Sequence, residues 1–139
     1  MKLFVLDASV ALAWFIDHSV PAYAIRVRQA LLRGDRALVP ALWHLEMANG
    51  LIVAERRRIL KADDVTRCLA SVEQLLAQAI ENVSDFASMR QALATGRTFK
   101  LSAYDAVYLD TARRERLPLA TLDQQLLSSA AAAGVELFA

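Results

Sequence analysis

Four apolar residues, Leu3-Phe4-Val5-Leu6, run unbroken near the start of the chain and stop at Asp7. A run this short, without alternation, predicts a strand buried on both faces, as in a parallel sheet. Residues 8–15 continue as an apolar helix. A second helix is expected over 20–32, with Pro21 in its first turn and Gly34 just past its end. Residues 37–39 predict a brief strand stopped by Pro40. The pattern over 41–58 fits a long helix, and 63–77 another, whose acidic first turn suits the helix dipole. A third strand is expected at 79–83. Ser84 opens a helix that runs to about Thr95 and is closed by Gly96. Then come a helix over 102–116, a strand over 118–122, a helix from Asp123 to Ala133 stopped by Gly134, and a last strand over 135–138. Strands alternating with helices imply a parallel sheet covered on both faces. Active sites in such sheets lie at the carboxyl ends of the strands.

The 139 residues show no repeat or Gly/Ser linker and are expected to form one domain, 1–139. With 56% hydrophobic and 22% charged residues the chain can bury a core, which excludes a disordered tail. A formal net charge of +1 supplies no strong overall field for a nucleic acid. Lys2, Lys61 and Lys100 are the only lysines, so the positive charge is nearly all arginine. That suits bidentate phosphate contacts, and an arginine-rich genome produces the same bias. Cys68 stands alone, so neither an intrachain disulfide nor a cysteine-based zinc site is available. The apolar start, with Ala22-Tyr23-Ala24 after it, has the outline of a signal peptide, but Asp7 interrupts it and strand-then-helix describes it better. No other stretch approaches a membrane span. The expected compartment is cytoplasmic, with no membrane partner.

The informative carboxylates are those flanked by apolar residues. Asp17, Asp35, Asp63, Asp64, Asp85, Asp110 and Glu115 fall in polar turns, in first helical turns or beside arginines, where solvation accounts for them. Asp7, Glu46, Asp105 and Asp123 do not. Capping explains Asp7 and Asp123 as well as catalysis does, since both stand at strand-to-helix junctions. Ser102 and Asp105 have capping-box spacing. Glu46 lies well inside its helix, and no cap explains it. Four converging carboxylates repel one another unless a cation is present. No lysine is near any of them in sequence and arginine is absent from their immediate flanks, so a divalent metal is the simplest counter-charge. All-oxygen ligands favour Mg²⁺ or Mn²⁺ over zinc.

Four segments in chain order resemble the PIN-domain family, and closely its VapC-type toxins. They are Val5-Leu6-Asp7-Ala8-Ser9, Glu46-Met47-Ala48-Asn49, Ser102-Ala103-Tyr104-Asp105-Ala106-Val107-Tyr108 and Ala120-Thr121-Leu122-Asp123-Gln124-Gln125-Leu126. The resemblance implies a three-layer α/β/α sandwich around a parallel sheet, with Asp7, Glu46, Asp105 and Asp123 as a catalytic, metal-binding acidic cluster. It implies Mg²⁺-dependent endoribonuclease activity on RNA, with Mn²⁺ as substitute, a homodimer, and inhibition by a cognate antitoxin. Asp7 and Asp105 would be the principal ligands of one ion or two, with Glu46 and Asp123 acting directly or through water. Ser9, Asn49 and Thr121 match polar positions expected to orient the carboxylates or water.

Other features carry less. Arg56-Arg57-Arg58 and Arg113-Arg114-Arg116 lie at helix ends, where basic residues complement the dipole; RNA-backbone contact is the alternative. His44-Leu45-Glu46 has the H-x-E form of a zinc deaminase, but no P-C-x-x-C follows. Trp14 and Trp43 fit a core or an interface. The apolar residues over 23–32 suit a core or a groove for an antitoxin helix. Two competing classes are a receiver domain, which would need a late lysine that the chain lacks, and a non-catalytic PIN-like scaffold. A PIN nuclease that processes RNA without an antitoxin is a third.

Overall fold

A computed structural model describes residues 1–84 and 87–139. The apolar run forms β1 (Leu3–Leu6), followed by α1 (Ala8–Ile16), α2 (Ala22–Leu32), β2 (Arg36–Val39), α3 (Ala41–Arg56), α4 (Ala62–Gln78), β3 (Ile80–Asn82), α5 (Met89–Phe99), α6 (Ala103–Glu115), β4 (Leu119–Ala120) and α7 (Gln124–Ala132). The four strands pair in parallel in the order β3-β2-β1-β4. This is the expected α/β/α sandwich, and the order differs from the 2-1-3-4-5 arrangement of receiver domains.

The connections assign the layers. From β1 to β2 to β3 the chain steps one way across the sheet, and right-handed crossovers put α1 to α4 on one face. From β3 to β4 it steps back over β2 and β1, so α5 and α6 cover the other. Phe4, Val5 and Leu6 of the central strand are wholly buried, as are Tyr108 and Leu109 of α6 and Leu126 of α7. Burying each such side chain contributes about 1.5–3 kcal/mol. Trp43 and Trp14 belong to this core, Trp14 donating its indole N–H to the Ala24 carbonyl at 2.7 Å. Helix α2 likewise buries Ala24, Val27, Ala30 and Leu31 in the core, and leaves Ile25 and Leu32 exposed.

Beyond shifts of one or two residues at other ends, three boundaries differ from expectation. The helix expected from Ser84 starts at Met89, with Ser88 as N-cap accepting from the Gln91 amide at 3.2 Å. Asp85 lies outside the described residues. Gly96 does not close that helix but sits within it. A Cβ on Gly96 would fall 2.9 Å from the Leu101 carbonyl oxygen, so glycine is there to let the returning backbone approach. The cap is Lys100, left-handed at φ 57°. Finally, residues 135–138 form a single bridge, Leu119 to Leu137, rather than a strand. The tail is held instead by stacking of Phe138 on Phe4, with centroids 3.9 Å apart, and by the Tyr23 hydroxyl donating to the Phe138 carbonyl at 2.6 Å.

Candidate active site

Chain order reverses between β1 and β4, and the crevice at the carboxyl ends of those two strands is where open α/β sheets bind their ligands. Asp7 ends β1. Thr121 and Asp123 follow β4. Pro40 turns the chain from β2 into α3, which carries Glu46 in its second turn. Helix α6 runs down to the start of β4, so its first turn, with Asp105, stands at the same edge.

Asp7 is 4% exposed and occupies the N-cap position of α1 without making a capping bond. Its Oδ2 accepts instead from Ser9 Oγ at 2.6 Å and Thr121 Oγ1 at 2.8 Å. Both hydroxyls are held in turn: Leu122 N donates to Ser9 Oγ and Asp123 N to Thr121 Oγ1, each at 3.0 Å. Capping therefore leaves Asp7 unexplained. It does explain part of Asp123, whose Oδ1 accepts from the Leu126 amide at 2.9 Å. At α6 the cap is Ser102, which accepts from the Asp105 amide at 3.1 Å. Glu46 is half-buried and its Oε1 accepts from the hydroxyl of Tyr108 at 2.6 Å. Asn49, one turn beyond Glu46, is exposed, and its side chain makes no hydrogen bond among the described residues.

The acids lie in one another's field. Burial raises the pKa of Asp7, outweighing the Ser9 and Thr121 hydroxyls that lower it, and repulsion from Asp123 adds to the rise. Glu46 is raised by burial and by repulsion from Asp7 and Asp105, against the lowering bond from Tyr108. Burial, Asp123 and Asp7 raise Asp105, against Ser102. All the charges acting on these three groups, among the described residues, are carboxylates. The site thus brings together the four acids of the sequence reading, with Ser9 and Thr121, and gives them no cation among the described residues.

The donor chemistry fits a hard divalent ion. Among the described residues no three Asp, Glu, His or Cys side chains close into a ready cage for one ion. Mg²⁺ commonly dispenses with such a cage, binding through one or two carboxylates and completing its shell with water and phosphate oxygens. The buried Tyr108, which bonds Glu46, is the crevice residue to which sequence reasoning gave no role. Its signal was available, since a phenol in a core segment needs a polar partner.

The other candidate features lie elsewhere. A cavity of about 420 Å³, lined by Leu42, Leu45, Val83, Val107 and Asp110 among others, contains none of the four acids. Asp110, expected to be solvated, is half-buried and accepts from the Thr95 hydroxyl at 2.5 Å. His44 pairs with Asn82 on the rim. Both arginine clusters end helices that run away from the acidic edge, roughly 15 Å along the axis from Glu46 and Asp105 respectively.

Among solved structures the fold is similar to PAE2754 from Pyrobaculum aerophilum, with a TM-score of 0.68 and 19% identity, covering 92% of this chain and 79% of that one. It is similar also to FitAcB from Neisseria gonorrhoeae, with a TM-score of 0.63 and 18% identity over 100% and 97%. FitAB bound to an IR36 DNA fragment matches with a TM-score of 0.64 and 20% identity over 99% and 94%. No curated protein matches the sequence. The family model of the PIN domain matches residues 4–132. That match takes in all four segments and every acid of the crevice, and the chain belongs to the PIN-domain family.

Proposed function

We propose that this chain is a divalent-metal-dependent endoribonuclease, the toxin of a type II toxin–antitoxin pair acting in the cytoplasm. The observation that carries the reading is the crevice itself. Four carboxylates from four separate segments share one field, braced by hydroxyls and offset by no protein cation. Membership of a nuclease family supports it, as does the close likeness of its motifs to VapC-type toxins.

In this reading Asp7 and Asp105 hold Mg²⁺ or Mn²⁺, with Glu46 and Asp123 contributing directly or through water. A divalent ion bound there offsets charge on the scissile phosphate and acidifies the attacking water. The chain's own part is to orient the carboxylates and leave their charge uncancelled. Ser9 and Thr121 fix Oδ2 of Asp7 and so set the orientation in which its carboxylate would meet a metal. Asp123 joins this frame through its amide and Thr121.

The partners follow from the same reading: RNA as substrate, a cognate antitoxin and a second copy of the chain. Leu45, exposed beside the cavity, and Met89 and Leu93, exposed on α5, provide apolar surface for a protein partner. Among the described residues no helix is long and apolar enough to cross a membrane.

The test is cleavage of total RNA by purified protein freed of any bound antitoxin, with Mg²⁺ or Mn²⁺, then with EDTA, beside Asp7→Asn. Metal-dependent cleavage that disappears in the variant supports the nuclease and the site together. Wild-type protein that neither binds metal nor cuts RNA overturns the reading.

A further inference from the structure

We propose that Tyr108 is a positioning residue of the acidic crevice, holding Oε1 of Glu46 so that Glu46 acts through Oε2 alone. The inference rests on the nuclease reading above and adds to it a residue and a rule of construction.

Glu46 reaches the crevice from α3 on a long side chain, and two other carboxylates repel it. A half-buried glutamate under such repulsion relaxes toward water unless something holds it. The one hydrogen bond it makes to a described side chain comes from Tyr108, at 2.6 Å. Tyr108 itself is 0% exposed, packed among Phe4, Leu6 and Leu109 in the buried core, so its ring has no freedom to follow a moving partner. The bond also joins two layers, since Tyr108 is on α6 and Glu46 on α3, 62 residues apart.

The choice of a phenol is chemically pointed. A phenol keeps its proton at neutral pH, so it is a permanent donor. A lysine or arginine would hold Glu46 as firmly but would cancel its charge, and a cation site needs that charge. Ser9 and Thr121 treat Asp7 in the same way, both donating to Oδ2. Three hydroxyls thus fix one oxygen on each of two acids while neutralising neither. The common rule is that this crevice is oriented by neutral donors only.

Tyr108→Phe removes the hydroxyl and leaves the ring. Partners of this kind, when mutated, cost about 10- to 100-fold in metal affinity or activity. Three quantities separate positioning from mere packing: Mn²⁺ affinity by titration calorimetry, kcat and KM on RNA, and thermal unfolding without metal. The expected result is a 10- to 100-fold loss of Mn²⁺ affinity, a similar fall in kcat, an unchanged KM and a Tm within a few degrees of wild type. The double variant Tyr108→Phe/Glu46→Gln should bind Mn²⁺ no worse than Glu46→Gln, because the phenol acts only through Glu46. Additive losses in the double variant, or Mn²⁺ binding by Tyr108→Phe equal to wild type, overturn the positioning role. Wild-type protein that binds no Mn²⁺ overturns the metal-site reading, and the positioning role with it.

Discussion

Thr121 Oγ1 donates to Oδ2 of Asp7 at 2.8 Å across 114 positions of sequence, and the same oxygen accepts the amide of Asp123. One hydroxyl therefore ties the first acid of the crevice to the last. Thr121→Val keeps the shape and deletes the hydroxyl, leaving the Asp123 amide without its acceptor. The expected cost is about 1–3 kcal/mol in urea unfolding, with weaker metal binding, and Thr121→Ser should restore most of both. A Val variant as stable as wild type would show that the hydroxyl is not holding the two acids together.

Burial and mutual repulsion raise the pKa values of Asp7, Glu46 and Asp105 in the folded chain. The folded state therefore binds more protons than the unfolded one between the ordinary carboxylate range, near pH 4, and the raised values. Stability from these groups is highest below that window, falls as pH rises through it, and is flat above. Asp7→Asn removes the most deeply buried carboxylate charge and should fold, since Asp7 makes no capping bond to lose. Its Tm should match wild type near pH 4 and exceed it at pH 7 by about 3–8 °C. Mg²⁺ should raise the wild-type Tm more than the variant's. A Tm difference that does not change with pH would mean that ionised Asp7 carries no such cost.

The architecture was legible because its signals are local. The unbroken Leu3–Leu6 run, the Pro40 stop, the Ser102 cap and the turn glycines Gly34 and Gly134 each mark an element edge by their own chemistry. The acids were legible because four apolar-flanked carboxylates are costly without a common purpose. What stayed hidden depends on contacts distant in sequence. Gly96 reads as a helix end, because only the fold shows the Leu101 carbonyl pressing on it. Residues 135–138 carry a strand pattern, yet the sheet takes only one bridge from them. Asp7 and Asp123 occupy equivalent junctions, and no local rule says that one caps its helix while the other turns to Ser9 and Thr121. The Tyr108–Glu46 pair is hidden for the same reason.

Gly96→Ala should destabilise the protein although alanine is the better helix former. Helix propensity favours the change by about 1 kcal/mol. The new Cβ, however, meets a backbone carbonyl at 2.9 Å, and that carbonyl belongs to the turn leading into Ser102 and Asp105. The expected result is a net loss of about 1–3 kcal/mol from strain, with reduced metal affinity as Asp105 shifts. Gly50→Ala is the control. Its Cβ would meet the movable end of Leu12 instead, at 2.5 Å, so the clash can be relieved and the site should be unaffected. Stabilisation by Gly96→Ala would show that the turn yields.

Arg116 ends α6 in the left-handed conformation, at φ 55°, where glycine is the unstrained choice. It also stands at the amino edge of the sheet, beside the start of β4, with the acids at the opposite edge. If its charge serves only the helix dipole, Arg113 and Arg114 supply most of that service without it. Arg116→Gly should then stabilise the chain by up to about 1 kcal/mol, the left-handed strain relieved outweighing glycine's entropy cost, while leaving RNA cleavage unchanged. The slope of log affinity against log salt should also stay the same, because removing an arginine that neutralises a phosphate flattens it by nearly one unit. A flattened slope with slower cleavage would instead place Arg116 on the RNA backbone. The bound strand would then have to extend from the acidic crevice around to the far edge of the sheet.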